Sequence, residues 1–581
     1  MRRITLALLI PVMTGCSVEA VVAALADGSA NEVVKPAAVA YPLDDSPWTT
    51  LQAVWAPRAP SLDTVEAIGS RALTVTEAAR FEEFGLGATL VSGETWLEVN
   101  DLAPGWASYV TSTTAAAAER ASLLWFWQSA DPQLIDEESP IRFEGVYALT
   151  FGSTYRPQDH LITQVFESHV RTARRIADAS RPFDFAFVAG DMTDTGQENE
   201  LDWLIATLAG GTIDPDSGAA DDPVPGPGND HQDPFDSVGI GAPWYAALGN
   251  HETLYIGTFA MTDAIRAAAI GDEVYPGLKD VGIPEFDGVR SGYRDGSTPD
   301  AQIVTTGKTP PDPRRQILSQ QAILQKLFDA PGEPAGHGLV ADDVDSDRAY
   351  FAFSPLPGKP IRFIVLNTLQ QDLGAKVSEG SLGEMDAVQF AWLKTQLDAA
   401  ADQIVIIGSH HRSSDLIEAS KVPAADLAAE IGKRGNVVLH VTGHGHRNDR
   451  VEISNAAFES GPAVAVPYWE LMLASTVDFP MQSRIFEFVY EGGGYLSIYA
   501  TNLDHNAAAG TPADRARHLA AAHVFFENDE YRDLWEGERP SRNMLLRVQL
   551  PATVQAAVEA AGAWEPTIHS EAILAEFSDP R

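Results

Sequence analysis

From residue 120 onward the chain repeats one pattern: a short run of apolar residues, then Gly or a small residue, then Asp, Asn or His. Such runs lie at Ser122–Gln128, Phe183–Ala189, Trp244–Leu248, Ile361–Leu366, Gln403–Ile407 and Asn436–Val441. They do not alternate with polar residues, so they predict strands covered on both faces. Between them, Val165, Phe166, Val170 and Ile176 recur at near-helical spacing and predict a helix over Gln164–Ser180. Phe390, Trp392, Leu393 and Leu397 predict another over Asp386–Ala400. Strands alternating with helices indicate an α/β sheet. After residue 480 the pattern changes, and Ser483–Glu491 and Gly494–Asn502 predict an antiparallel hairpin around Gly492-Gly493-Gly494. Residues 46–120 read as a small, partly β N-terminal region, 121–505 as the main domain, and 506–581 as a helical, acidic C-terminal region. Two insertions interrupt the main domain. Residues 210–240, rich in Asp, Pro and Gly, read as a solvated loop, with an acidic calcium site as the alternative. Residues 255–345 form a longer insertion and a candidate lid.

Composition narrows the partners. Hydrophobic residues make up 45% of the 581, too many for a disordered chain. The formal charge of −41 repels nucleic acid and anionic membrane surfaces, so neither is expected as the main partner. A small anionic substrate stays open, because a local cluster of cations overrides the global field. The single Cys, Cys16, excludes intrachain disulfides, a thiolate zinc site and a cysteine nucleophile. Met1-Arg2-Arg3, the apolar run Ile4–Met13 and Thr14-Gly15-Cys16 read as a secretory signal over residues 1–16. The run is too short to span a bilayer, which takes about 20 residues. Val12–Cys16 resembles a bacterial lipobox, with Met13 departing from the usual Leu or Val. The expectation is an exported protein, lipid-anchored at Cys16 through a tether over 17–45, or secreted if the signal is an ordinary one. The only membrane contact expected is through that anchor, and no protein partner is inferable.

The chemistry sits where the predicted strands end, the edge at which open α/β sheets bind ligands. Those ends supply Asp131 and Gln133, then Asp191, then Asn250 and His251, then His410, then His444 and His446. Carboxylate and amide oxygens mixed with imidazoles suit Mn, Fe or Zn. They are too many for one tetrahedral ion and match two ions side by side. Asp159-His160 rivals Asp131 but starts a helical pattern instead of following a strand. Asp194 is expected to orient a ligand or cap a helix, and Glu252 to support a neighbour. His411 could replace His410. His440 reads as a packed core residue, and Trp125 and Trp127 as core; His160, His169 and His505 read as surface or structural. Arg314 and Arg315 are expected at the surface, with contact to a substrate phosphate as the alternative. Gly307-Lys308-Thr309 echoes a P-loop end but lacks the earlier Gly and runs into Pro310-Pro311, and is rejected.

The order of these pieces resembles the calcineurin-like metallophosphoesterase superfamily. The fragments are Gly190-Asp191-Met192-Thr193-Asp194, Gly249-Asn250-His251-Glu252, an isolated His410 and Gly443-His444-Gly445-His446. Asp131-Pro132-Gln133 stands where the superfamily usually has D-x-H. Three stretches resemble a bacterial secreted subgroup: Asp136–Pro140, Gly190-Asp191 through Leu201, and Asp478-Phe479-Pro480 with Gln482-Ser483-Arg484. The resemblance implies a four-layer α/β/β/α sandwich with insertions and an N-terminal extension. It implies one ion on Asp131, Gln133, Asp191 and His446 and a second on Asp191, Asn250, His410 and His444, with Asp191 bridging. The amide oxygen of Gln133, in place of an imidazole, is expected to shift the first site from zinc toward manganese or iron. A bridging hydroxide would attack phosphorus, and His251 would protonate the leaving oxygen. The implied activity is hydrolysis of a small phosphate mono- or diester. The alternatives are a nucleotide pyrophosphatase with the same centre and a non-catalytic lipid-anchored surface protein.

Overall fold

A computed structural model describes residues 35–58, 81, 83, 85–112, 120–142, 156–218, 222–274, 308–370, 381–418, 420–527 and 538–577. The signal segment, Cys16 and most of the tether lie outside the described residues.

Two sheets dominate. In chain order their strands are β1 (Leu97–Leu102), β2 (Ala121–Ser129), β3 (Phe185–Ala189), β4 (Trp244–Ala247), β5 (Phe351–Phe353), β6 (Ile361–Val365), β7 (Ile404–Gly408), β8 (Val437–Thr442), β9 (Asp449–Ile453), β10 (Tyr468–Met472), β11 (Gln482–Gly492), β12 (Tyr495–Asp504) and β13 (Met544–Gln549). The seven-stranded sheet runs β1-β13-β12-β11-β2-β3-β4, and the six-stranded sheet runs β5-β6-β7-β8-β10-β9. Strands β2, β3 and β4 are mutually parallel, as are β6, β7, β8 and β10. Each parallel set therefore delivers its carboxyl ends to one edge.

The sheets pack face to face. Phe363 of β6 meets Phe126, Phe185 and Phe187 of the other sheet, with ring centroids 6.2, 5.2 and 5.0 Å apart. The alternate residues of β6 and β7, Ile364, Val405 and Ile407, face the other way and join a separate core with Leu393, Leu397, Leu427 and Ile431. Those come from helices α3 (Ala387–Ala399) and α4 (Ala424–Ile431), the layer outside the six-stranded sheet. The Asp386 carboxylate caps α3, accepting from the N–H groups of Val388 and Gln389 at 2.7 and 2.9 Å.

Outside the seven-stranded sheet lie α1 (Ile162–Ala179), α2 (Glu198–Ala209) and α5 (Pro512–Glu527). Ile162, Val165, Phe166, Val170, Ala173, Ile176 and Ala177 form one continuous buried stripe on α1. Burying each larger member stabilises the fold by about 1.5–3 kcal/mol. The result is a mixed α/β sandwich of four layers: the apolar runs predict the α/β sheet, and the layering is what the resemblance implies.

Three regions differ from expectation. The C-terminal region is not purely helical: Met544–Gln549 inserts between β1 and β12. Strand β1, from the expected N-terminal region, pairs with it. Segments from before and after the main domain therefore extend the main sheet, covering the edge of β12 and leaving β1 as the edge strand. The 210–240 segment is not merely a solvated loop. Gly211–Ile213 pairs with Phe235–Ser237, and Asp230, His231, Gln232 and Asp233 are buried. The carboxylates of Asp230 and Asp233 accept backbone N–H groups of Val224, Asn229, Asp230 and Gln232. Arg315 is fully buried, held by Asp136, Ser217 and the Pro310 carbonyl, while Arg314 pairs with Asp312 near the surface. Among the described residues no helix is long and apolar enough to cross a membrane.

Candidate metal centre

Five strand ends converge. Asp131 follows β2, Asp191 follows β3, Asn250 follows β4, His410 follows β7, and His444 and His446 follow β8. The ligating atoms of Asp131, Asp191 and His446 lie within 4.8 Å of one another. On the other side, His410 Nε2 lies 3.2 Å from Asp191 Oδ2 and 2.9 Å from Asn250 Oδ1, and His444 Nδ1 lies 3.2 Å from Asn250 Oδ1. Asp191 thus faces both groups. Side chains more than 300 positions apart in the sequence meet here, as between His446 and Asp131.

The local backbone explains why ligands sit at these positions. Asp131, Gln133, Asp191, His444 and His446 all have positive φ, between 39° and 74°. This left-handed region is uncommon for residues with a side chain and gathers at functional sites. It turns each chain sharply off its strand and aims the side chain across the sheet edge. The neighbouring glycines are required by close approach. A Cβ on Gly249 would lie 2.1 Å from Asp191 Oδ1, and one on Gly443 would lie 2.5 Å from Asp131 Oδ2.

Hydrogen bonds fix the orientation of the imidazoles. His410 Nδ1 donates to the Ala189 carbonyl at 2.8 Å, which turns Nε2 toward Asp191. His446 Nδ1 donates to Asp478 Oδ2 at 2.6 Å, which leaves its Nε2 facing Asp131 at 3.5 Å. Such outer partners set the tautomer of a metal-binding histidine. His411 is committed elsewhere: Nδ1 to Thr368 Oγ1 and Nε2 to the Ser381 carbonyl, both at 2.8 Å. The ligating atoms of His410, His411 and His444 also lie within 4.8 Å of one another, but only His410 faces Asp191 and Asn250 through Nε2.

The field matches cations. Burial pulls the His446 imidazole down, but Asp131 and Asp478 outweigh it and push it up to about 10. Burial also works against His410, which Asp191 and Asp131 nonetheless raise to about 9. His444, buried and repelled by His410, is pulled down to about 3, so its nitrogen stays a free donor. Burial alone would raise the Asp191 carboxyl; His410 and His251 hold it well below its usual range. The donor set and its potential fit two divalent cations on Asp131, Asp191 and His446 and on Asp191, Asn250, His410 and His444.

Gln133 departs from the expected set. Its Oε1 accepts from Arg156 Nη2 at 3.0 Å, so the amide nitrogen faces Asp191 Oδ2 at 3.4 Å and His446 Nε2 at 3.3 Å. The oxygen on which the preference for manganese or iron rested is turned away. What remains is a mixed O/N donor set that suits Mn, Fe or Zn.

The supporting residues have clear partners. The Glu252 carboxylate accepts from the N–H groups of Asp191, Thr193 and Gly249 at 3.1, 3.0 and 2.6 Å. Burial and Asp191 push its carboxyl up to about 8. Asp194 pairs with Arg142 at 2.7 Å, and its carbonyl accepts a hydrogen bond from His251 Nδ1 at 2.6 Å. It does not cap a helix, since α2 starts behind Gln197. His251 stands off the ligand groups, with Nε2 3.9 Å from Asp191 Oδ2. His440 is buried in β8 and bonds Ser409 Oγ at 2.7 Å; His160, His169 and His505 are buried and structural. Arg156, Arg142 and Asp478 had no role in the sequence reading. Only Asp478 carried a signal, as part of Asp478-Phe479-Pro480.

No protein-family model and no curated protein matches the chain. Among solved structures it is similar to a dimetal phosphatase from Danio rerio, with 12% identity and a TM-score of 0.37, covering 67% of this chain and 100% of that one. It is also similar to purple acid phosphatase PPD1 from yellow lupin (Lupinus luteus) seeds, with 11% identity and a TM-score of 0.32, covering 77% of this chain and 57% of that one.

Proposed function

We propose that the protein is a metal-dependent phosphoesterase that hydrolyses a small phosphate mono- or diester at a dinuclear centre. The observation that carries the reading is the meeting of six oriented donors from five strand ends around a shared Asp191. Two divalent cations bound there would supply positive charge for the phosphoryl oxygens and lower the pKa of a water nucleophile to near neutrality. The chain's own residues do the rest. Asp191, with one carboxylate facing both donor groups, sets the spacing between them. The Ala189 carbonyl and Asp478 keep His410 and His446 in the ligating tautomer. The Asp194 carbonyl accepts from His251 Nδ1, so Nε2 of that ring faces the centre, 3.9 Å from Asp191 Oδ2. There it can pass a proton to the leaving oxygen, a role worth about 10²–10⁴ in rate.

Turnover of p-nitrophenyl phosphate and bis-p-nitrophenyl phosphate with added Mn²⁺ tests the reading and separates monoesterase from diesterase. His251→Ala is expected to keep its metal and lose about 10²–10⁴ of kcat. Wild-type protein that binds metal but hydrolyses neither ester, nor any of a panel of nucleotides, contradicts it. Export with a lipid on Cys16 belongs to the same proposal. Its test is membrane association lost on Cys16→Ala; wild-type protein confined to the soluble fraction contradicts it.

A further inference from the structure

Four side chains on one side of the centre form a closed ring. His446 Nδ1 donates to Asp478 Oδ2 at 2.6 Å, and Arg156 Nε lies 2.7 Å from Asp478 Oδ1. Arg156 Nη2 donates to Gln133 Oε1 at 3.0 Å, and Gln133 Nε2 returns to His446 Nε2 at 3.3 Å. Arg156 fixes which end of the amide faces the centre. A guanidinium only donates, so the amide atom facing Arg156 must be the oxygen. His446 Nδ1 donates to Asp478, which turns Nε2 toward Asp131 and the Gln133 amide. The Gln133 amino group therefore donates to Asp191 Oδ2 at 3.4 Å and lies 3.3 Å from His446 Nε2. Arg156 and Gln133 are both almost fully buried, at 1% exposure each, so water does not offer the amide another partner.

Resting on the dinuclear reading above, we infer that Gln133 is not a metal ligand here but an internal competitor for the first cation, clamped in that orientation by Arg156. An amino group repels a cation and occupies the Asp191 oxygen the cation would use. The ion on this side is held by Asp131, Asp191 and His446, with no amide oxygen from Gln133. Arg156 is a positioning residue: it acts on the centre through Gln133 and Asp478.

Calorimetric titration of the chelator-stripped full chain with Mn²⁺ tests this without using activity. Gln133→Ala is expected to leave the affinity of both ions within about threefold or tighten one of them, since it removes a competitor and no ligand. His446→Ala, a ligand control on the same side, is expected to weaken one ion at least about tenfold. Arg156→Met frees the amide to turn its oxygen inward. It is expected to tighten one ion about tenfold, a gain absent from the Gln133→Ala/Arg156→Met double variant. Loosening beyond threefold in Gln133→Ala overturns the inference, as does a gain in Arg156→Met that survives in the double variant. If Arg156→Met does not fold, Gln133→Ala decides alone. Wild-type protein that binds no Mn²⁺ removes the dinuclear reading itself, whereas failure in Gln133→Ala alone leaves that reading standing.

Discussion

Removing Glu252 tests how the metal-binding turn after β3 is held. The Glu252 carboxylate is buried and touches no candidate ligand side chain, yet it ties together two of the converging loops. One oxygen accepts from Thr193 N–H and Thr193 Oγ1 at 3.0 and 3.2 Å. The other accepts from the N–H groups of Asp191 and Gly249 at 3.1 and 2.6 Å. Glu252→Ala leaves three buried N–H groups without an acceptor. Each costs about 1–3 kcal/mol, so the variant should lose about 3–9 kcal/mol, with the low end reached if water refills the space. Glu252→Gln keeps one acceptor oxygen. It serves the Asp191 and Gly249 N–H groups while the amino group faces Thr193 Oγ1, which can accept. One N–H is orphaned, and the loss should be about 1–3 kcal/mol. Urea unfolding of the chelator-treated protein measures both, since ligand binding then adds nothing to the folded state. The order must be wild type, Gln, Ala. An Ala variant within about 0.5 kcal/mol of wild type, the range of ordinary surface substitutions, would refute the claim that this carboxylate is the tie.

Two further outcomes follow from close approach and from burial. Gly249→Ala drives a Cβ into Asp191 Oδ1, so the shared carboxylate must move by about 1 Å; kcat/KM for p-nitrophenyl phosphate should fall about 10²-fold, and an unchanged value would contradict the packing argument. Burial pushes the Asp504 carboxyl up to about 6, more than its hydrogen bonds from Trp55 N–H and Gln482 lower it. Its folded pKa lies above the unfolded value of about 3.9, so the folded state binds more protons between the two. That contribution is complete below about pH 4 and is lost as pH rises through 6, a change of about 3 kcal/mol. In Asp504→Asn the contribution is gone, so the variant should gain on wild type by that amount between pH 4 and pH 7; a constant difference in urea midpoint would contradict it.

Much of this was legible in the sequence, for physical reasons. Residues such as Phe185–Ala189 and Ile404–Gly408 are buried on both faces, so their strands appear as unbroken apolar runs. Their ligands follow directly because the sheet edge is where each chain must turn. The Asp386 cap and the α1 stripe are local signals of the same kind. The pairing of Met544–Gln549 with β12 and β1 was not legible. Strand β1 lies more than 400 residues from its partner and has only one buried residue, Val99. The orientation of Gln133 was equally hidden. The motif gives the residue, but Arg156 and Asp478, remote in sequence and unmarked by spacing, decide which end of the amide faces the centre. Arg315 was misplaced at the surface because a charged residue in a Pro-rich insertion ordinarily sits there; Asp136 takes it inside.

The central claim is that one shared carboxylate organises two cation sites. Metal analysis of purified full-length protein after Mn²⁺ loading and gel filtration, set beside Asp191→Ala, tests it most directly. The account predicts two equivalents per chain in the wild type and at most one in the variant. One equivalent or none in the wild type, or two retained without Asp191, would contradict it.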